Sequence, residues 1–242
     1  VAGTKVFSNT GGVDLSKCGG SDTVLIQNSY QQGARLTSDS WGATAFGVYN
    51  ADAQLYDALT RDATSAAGNQ EMLHVFAAGN DGAYSGTGTI NSPGSAKNVL
   101  TVGAAENPRD AGVSCRGWAD ADSADDIAFY SSRGPAADGR AKPDLVAPGT
   151  HVQGPATQDP AYNANYVCAR YYPAGQTLYT WSTGTSHSTP AVAGAAQLAY
   201  EYYGRVLAPG QQPSPAMLKA LLINSPRYLV GTAAGDTLPG TA

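Results

Sequence analysis

The run Met72-Leu73-His74-Val75-Phe76-Ala77-Ala78, closed by Gly79-Asn80, constrains the fold of this chain more than any other feature. Apolar residues occupy six of its seven positions without alternation, so it has no wet face; a parallel strand buried on both faces reads this way and needs helices on both sides. The rest of the chain supplies them. Thr23 to Gln32 carries Val24, Leu25, Asn28 and Gln31 at helical offsets and is stopped by Gly33. Ala34-Arg35-Leu36 reads as a strand running into a loop from Ser38 to Gly42. Tyr49 to Ala67 reads as an amphipathic helix with Leu55, Tyr56 and Leu59 on one face. Asn98 to Val102 and Asp144 to Ala147 are further strand segments, and Lys5-Val6-Phe7 is a short one near the start. Ser188 to Tyr203 is an Ala-rich helix with Pro190 in its first turn, and Ser214 to Asn224 is another, with a serine cap and Pro215 at its first position. Gly103 to Tyr179 is mostly loops and short strands. This alternation predicts an α/β fold: three layers, with a mostly parallel sheet flanked by helices. One domain is expected over residues 1–230, with residues 231–242 as a tail or linker.

Charge and composition narrow the function classes. Nineteen acidic against fourteen basic residues, with no basic run, argue against a nucleic-acid backbone as partner. No apolar run is long enough to span a membrane. The acidic balance and few basic residues fit a secreted protein, and the start at Val1 without Met fits removal of a leader. The cysteines Cys18, Cys115 and Cys168 have no zinc spacing. Cys115 with Cys168, both in irregular stretches, is the preferred disulfide; free thiols are the other reading.

Two segments carry chemistry. Thr183-Gly184-Thr185-Ser186-His187-Ser188-Thr189-Pro190 opens the Ala-rich helix. A serine there lies beside unpaired N–H groups and the positive end of the helix dipole, where a developing oxyanion is stabilised. Ala77-Ala78-Gly79-Asn80 ends a buried strand, where open α/β sheets hold ligands, and an Asn amide there can donate to such an oxyanion. Read alone, the first is more often a simple N-cap and the second a turn.

Taken together and in order, these segments resemble the subtilases, the subtilisin-like serine peptidases, most of all the alkaline bacterial branch with a C-terminal β-sandwich. Gly-Thr-Ser-His-Ser-Thr-Pro is similar to the family's nucleophile motif, which implies Ser186 as nucleophile with Thr185 beside the substrate. Ala-Ala-Gly-Asn is similar to its oxyanion motif, which implies Asn80 and the Ser186 N–H as donors. Ser40-Trp41-Gly42, after Asp39, resembles the segment that pairs with an extended peptide, and Ala77, Ala78 and Gly79 would wall the pocket for the side chain before the scissile bond. Ser131-Ser132-Arg133-Gly134-Pro135 and Lys142 to Gly149 resemble further, structural signatures.

Neither the family's catalytic-Asp motif nor its His-Gly-Thr motif occurs here. The expectation is therefore a subtilisin-like fold whose N-terminal portion, with Asp and His, is missing. The chain would hydrolyse peptide bonds as a serine endopeptidase once a missing segment or companion fragment supplied them, and be nearly inactive alone. The alternative is a non-catalytic, subtilase-like peptide-binding module or zymogen. An α/β-hydrolase is disfavoured because Ser186 lies in no Gly-x-Ser-x-Gly elbow. Among the histidines, His187 points away from its neighbour's hydroxyl, His74 belongs to a buried strand and His151 to a loop. No cofactor is required. Asp120, Asp122, Asp125 and Asp126 could ligate calcium, a hard cation, or simply form an acidic surface loop.

Overall fold

The structure, a computed structural model, describes residues 20–108, 121–162 and 170–231. All three cysteines, Asp120, the expected strand at Lys5-Val6-Phe7 and residues 232–242 of the expected tail lie outside them. Four parallel strands stand in sequence order: β1 (Leu36–Asp39), β2 (Leu73–Ala77), β3 (Leu100–Ala105) and β4 (Leu145–Pro148). Their register pairs Leu36 with Leu73, Val75 with Leu100 and Val102 with Leu145. Helices α1 (Asp22–Gln31) and α2 (Ala51–Arg61) cover one face, and α4 (Thr185–Tyr202) and α5 (Pro215–Asn224) the other. Between β2 and β3 lies the short α3 (Gly82–Ser85). A small antiparallel sheet of β5 (Val152–Pro155), β7 (Tyr179–Ser182) and β6 (Arg170–Tyr171) accompanies this core.

The three-layer, parallel architecture stands, but the expectation of a missing N-terminal portion is corrected. Helix α1 is in place ahead of β1, capped by Ser21, whose Oγ accepts the Val24 N–H, and Ile26 sends its side chain into the core. The buried residue is Ile26, whereas Val24 is exposed: the contiguous Val-Leu-Ile stretch admits several faces, and contact with Tyr56 and Phe76 selects one.

β2 is buried at every position, and its alternation serves two cores. Met72 and Phe76 pack with Ile26, Ala53, Tyr56 and Leu59 of α1 and α2. Leu73 and Val75 pack with Val192, Ala193, Ala196, Leu218 and Leu222 of α4 and α5. Helix α2 is shorter than the periodicity predicts. Asn50 caps it, its Oδ1 accepting the Ala53 N–H, and at Asp62 the backbone turns extended so that Ala63 can donate to Gln70. Helix α4 begins three residues earlier than expected and runs on through a π-helical turn, Tyr203–Leu207. Its small residues, Ala193 and Ala196 among them, let it lie close to the sheet, where it contacts all four strands.

A buried ionic cluster ties β3, β4 and α5 together. The Lys142 ammonium donates to Val99 O, Thr101 Oγ1 and Asp144 Oδ2, and the Lys219 ammonium reaches Asp144 Oδ1 at 2.9 Å. Asp144 also accepts the Thr101 N–H at 2.7 Å. Burial pulls the Lys142 ammonium down to about 8, against the opposing pull of Asp144. Removing the carboxylate would leave two cations facing each other in a dry site. Asp144→Ala should therefore destabilise the fold by about 3–5 kcal/mol, measured by urea denaturation; a loss within the usual surface range would show that the cluster does not bear on stability.

Candidate active site

The end of β2 and the start of α4 meet at one side chain. Asn80 Oδ1 accepts both the Thr185 N–H (2.9 Å) and the Thr185 hydroxyl (3.0 Å). Those two donors fix the carboxamide's orientation and leave its NH2 end for another acceptor. Asn80 is exposed while Ala77 and Ala78 before it are buried, so the strand delivers only its last residue to the surface. The left-handed turn that does so occurs at Gly79 (φ 107°), where a Cβ would lie 2.5 Å from Asn91 Cγ and 2.9 Å from Ser132 Oγ, so only glycine fits. Gly184 (φ 155°) performs the matching task before α4, donating its N–H to Gly149 O at 2.9 Å.

Ser186 is the second residue of α4 and is half-buried. Its hydroxyl donates to the Ser40 carbonyl at 3.3 Å, and the Ser40 hydroxyl donates back to the Ser186 carbonyl at 2.9 Å. The second bond has a sequence cause. Pro190 stands four residues after Ser186 and has no N–H, so the helical partner of the Ser186 carbonyl is absent and Ser40 replaces it. Beyond Ser40, the backbone of Trp41 and Gly42 makes no backbone hydrogen bond among the described residues, whereas Ala43 exchanges two with Ser92. The residues read as nucleophile, oxyanion donor and peptide edge (Ser186, Asn80 with Thr185, and Ser40-Trp41-Gly42) therefore lie in one place. Ala77 and Ala78 are brought near only as backbone, their side chains being in the core.

The chain also holds an Asp–His pair. Asp39 ends β1, and Thr37 pairs in register with His74 of β2. His74 Nδ1 lies 2.7 Å from Thr37 Oγ1, the Thr37 hydroxyl donates to Asp39, and Asp39 and His74 approach to 4.0 Å. This overturns the expectation that Asp and His must come from a missing segment, and with it the grounds for a companion fragment and for inactivity of the chain alone. Sequence reading missed the pair because its members lie 35 positions apart and are joined only by parallel register.

The pair has a definite orientation. The His74 ring stands edge-on to Tyr56 at 5.2 Å, on the face that α1 and α2 cover, whereas Ser186 opens α4 on the other. The Ser186 hydroxyl meets the Ser40 carbonyl and no imidazole among the described residues. His187 is half-buried, and burial lowers its pKa. His151 is buried with its ring stacked on Trp181 at 5.0 Å.

Of the expected calcium ligands, Asp122 and Asp126 converge with Glu106, each offering a carboxylate oxygen within 4.8 Å of the others, and this cluster could hold a metal ion. Glu106 was not legible as a member because it stands sixteen residues before Asp122. Burial and the neighbouring Asp122 push its carboxyl up to about 7, although Asp122 and Ser123 both donate N–H bonds to it. Asp125 points elsewhere and pairs with Arg227.

The buried pair carries a pH signature. Burial raises the Asp39 carboxyl from 3.8 to about 7 and lowers the His74 imidazole from 6.5 to about 4. The folded chain therefore holds a proton on Asp39 that the unfolded chain has lost between pH 4 and 7, so this residue costs stability as pH rises through that window. His74 contributes the opposite slope between pH 4 and 6.5. Asp39→Asn should gain on the parent between pH 4 and pH 8 by about 2–4 kcal/mol, read from urea midpoints at the two pH values. An unchanged difference would mean the carboxyl titrates normally.

Comparison with known proteins bears on the fold and the family. The chain is 33% identical to the serine protease AprX of Bacillus subtilis over 175 residues, 72% of this chain and 34% of that protein. It is 32% identical to pyrolysin of Pyrococcus furiosus over 171 residues, 66% of this chain and 11% of that protein. The match thus spans about a third of one relative's length and about a tenth of the other's. Among solved structures, the self-cleaved protease domain of PatA has a TM-score of 0.54 at 22% identity, covering 84% of this chain and 58% of that one. Sphericase has a TM-score of 0.52 at 24% identity, covering 84% and 53%. Likeness at such identity speaks for the fold. The subtilase family model matches residues 1–239, and the chain belongs to the subtilase family.

Proposed function

We propose that this chain hydrolyses peptide bonds by acyl transfer through Ser186. The observation that carries the reading is the seating of Thr185 on Asn80 Oδ1. It holds the Asn80 NH2 group near the Ser186 backbone N–H, 3.6 and 3.7 Å from where a Cβ on Gly184 would stand, and a tetrahedral intermediate calls for two such donors. The Ser186 hydroxyl attacks the carbonyl carbon as its proton passes to a water molecule at the open site. The oxyanion is held by the two donors, the departing amine takes a proton back from that water as the C–N bond breaks, and a second water hydrolyses the acyl-enzyme and frees the hydroxyl. An extended peptide lies along Ser40-Trp41-Gly42, taking the unused backbone groups of Trp41 and Gly42 as a strand partner. Asp39 and His74 sit behind this edge, and their role is to set where Ser40, and so the Ser186 hydroxyl, rests.

A fluorophosphonate should label Ser186 and leave Ser186→Ala unlabelled, and peptide turnover should vanish in that variant. Asn80→Ala should retain the fold and lower kcat about 10²–10³-fold. Absence of label on Ser186 in the folded chain would leave only peptide binding, and full turnover in Ser186→Ala would remove the residue from its role.

Calcium is the ion proposed for Glu106, Asp122 and Asp126, since three carboxylates are hard oxygen donors. Binding would favour the ionised Glu106 carboxyl, so calcium should raise the Tm of the parent and leave Glu106→Gln unmoved in a melting experiment against chelator. Equal shifts in both would refute the site. A secreted location, with polypeptides as substrates, belongs to the same proposal. Among the described residues, no helix is long and apolar enough to cross a membrane.

A further inference from the structure

The end of the sheet away from Ser186 holds a cavity of about 530 Å3, a volume typical of small-ligand sites. Thr60 and Arg61 at the close of α2, Lys97 and Asn98 ahead of β3, and α5 enclose it. It therefore stands at the N-terminal ends of the parallel strands, whereas Asn80 and Ser186 stand at the C-terminal end. Its two walls differ. One carries Arg61, Lys97 and Lys219, and among the described residues no Asp or Glu lines the cavity. The other is a face of α5 on which Ala216, Ala220 and Ile223 follow turn by turn. The two alanines leave room that larger residues would fill, and Ile223 is exposed.

The cations are unequally engaged. The Lys219 ammonium has three N–H groups and three acceptors, Lys97 O, Val99 O and Asp144 Oδ1, so none is left for a ligand. Arg61 has five donors, and its one ion pair among the described residues is with Glu71 Oε1 at 2.8 Å. Lys97 donates to Asn98 Oδ1 at 2.9 Å and stands 3.9 Å from Asp57. Arg61, Lys97, Lys219 and the buried Lys142 set four positive charges against the three carboxylates they pair with, Glu71, Asp57 and Asp144. One positive charge is left over, which a monoanion neutralises and a dianion would reverse. Asn224 and Tyr228 line the same cavity, exposed, and among the described residues neither side chain hydrogen-bonds the protein.

We propose that this cavity is a second ligand site, for the C-terminal end of a peptide. Arg61 and Lys97 hold the free α-carboxylate, and the apolar face of α5 takes the last side chain. Hydrogen bonds between a cation and a carboxylate are roughly twice as strong as neutral ones, and a chain ending in an amide cannot draw on them. A plain alkyl acid satisfies the cations but offers no peptide group to Asn224 and Tyr228. Peptide hydrolysis by the chain would release such ends. Occupation of the cavity requires no turnover, so the proposal stands or falls separately from the role of Ser186.

Isothermal titration calorimetry of the full chain would compare N-acetyl-Leu-Phe with a free carboxylate, the same dipeptide as its C-terminal amide, and decanoate. The peptide acid should bind one-to-one, at least about tenfold more tightly than either the amide or decanoate. Arg61→Gln combined with Lys97→Gln, both at exposed positions, should bring the acid within about twofold of the amide and leave the amide unchanged. Should that double variant fail to fold, Ile223→Glu reads the same cavity: the acid should weaken at least about tenfold and the amide by less. Equal affinity of the parent for acid and amide, or decanoate binding as tightly as the peptide acid, would overturn the proposal. So would an acid preference that survives in the double variant, or a parent that binds none of the probes.

Discussion

Two hydrogen bonds onto one side-chain oxygen hold the site of this protein together. Asn80 Oδ1 takes both polar groups of Thr185, joining the last turn of β2 to the first turn of α4 across 105 residues of chain. A carboxamide bound in this way cannot rotate without breaking both bonds, so its donor end is committed before any substrate arrives. Preorganisation of this kind is what makes an electrostatic donor effective, because no reorganisation remains for the reaction to supply. The flanking glycines serve this bond: Gly79 turns the strand end outward, and Gly184 turns the chain into the helix.

The rest of the architecture keeps those two ends in register. β2 is dry on both faces because its alternate residues belong to different cores, one under α1 and α2 and one under α4 and α5. The Lys142–Asp144–Lys219 cluster adds an ionic tie between β3, β4 and α5 to their pairing and packing. Ser40 and Ser186 join β1 to the same helix start through reciprocal hydrogen bonds, one of which exists because Pro190 leaves a carbonyl without its helical donor. The Asp39–Thr37–His74 array lies just behind, so a polar chain underlies the wall on which substrate would lie.

The fold was legible wherever the pattern was local. MLHVFAA announced a doubly buried strand, and Ser214 took the cap position that its residue type favours. Helix α4 began earlier than read because Gly184 offers no side-chain cap, and Gly-Thr-Ser looks like loop until Thr185 is seen seated on Asn80. The motif residues Ser186, Asn80 and Ser40 were identified in the sequence, but what brings them together was not. Contacts set by register or by closure of long loops leave no periodic trace. The Asp39–His74 pair and the addition of Glu106 to the acidic cluster are both of this kind. The supposed absence of an Asp–His pair was an inference from missing motifs, and spatial pairing does not require a motif.

Helix α4 touches every strand of the parallel sheet through a face built from Ala193, Ala196 and other short side chains. Eighteen residues give it a length of about 27 Å, and it behaves as a stiff rod with Ser186 at its tip. Enlarging Ala196, 0% exposed against the sheet, would tilt or lift the rod, and the displacement would be felt at the far end. A hydroxyl carried ~1 Å off line forfeits roughly two orders of magnitude of rate, whereas the cores can absorb a shift of that size by repacking. With Ser186 as the proposed nucleophile, tolerance to mutation along this helix would be set by aim as well as by cohesion, and the shortness of its inner side chains would serve that proposed chemistry as well as the core.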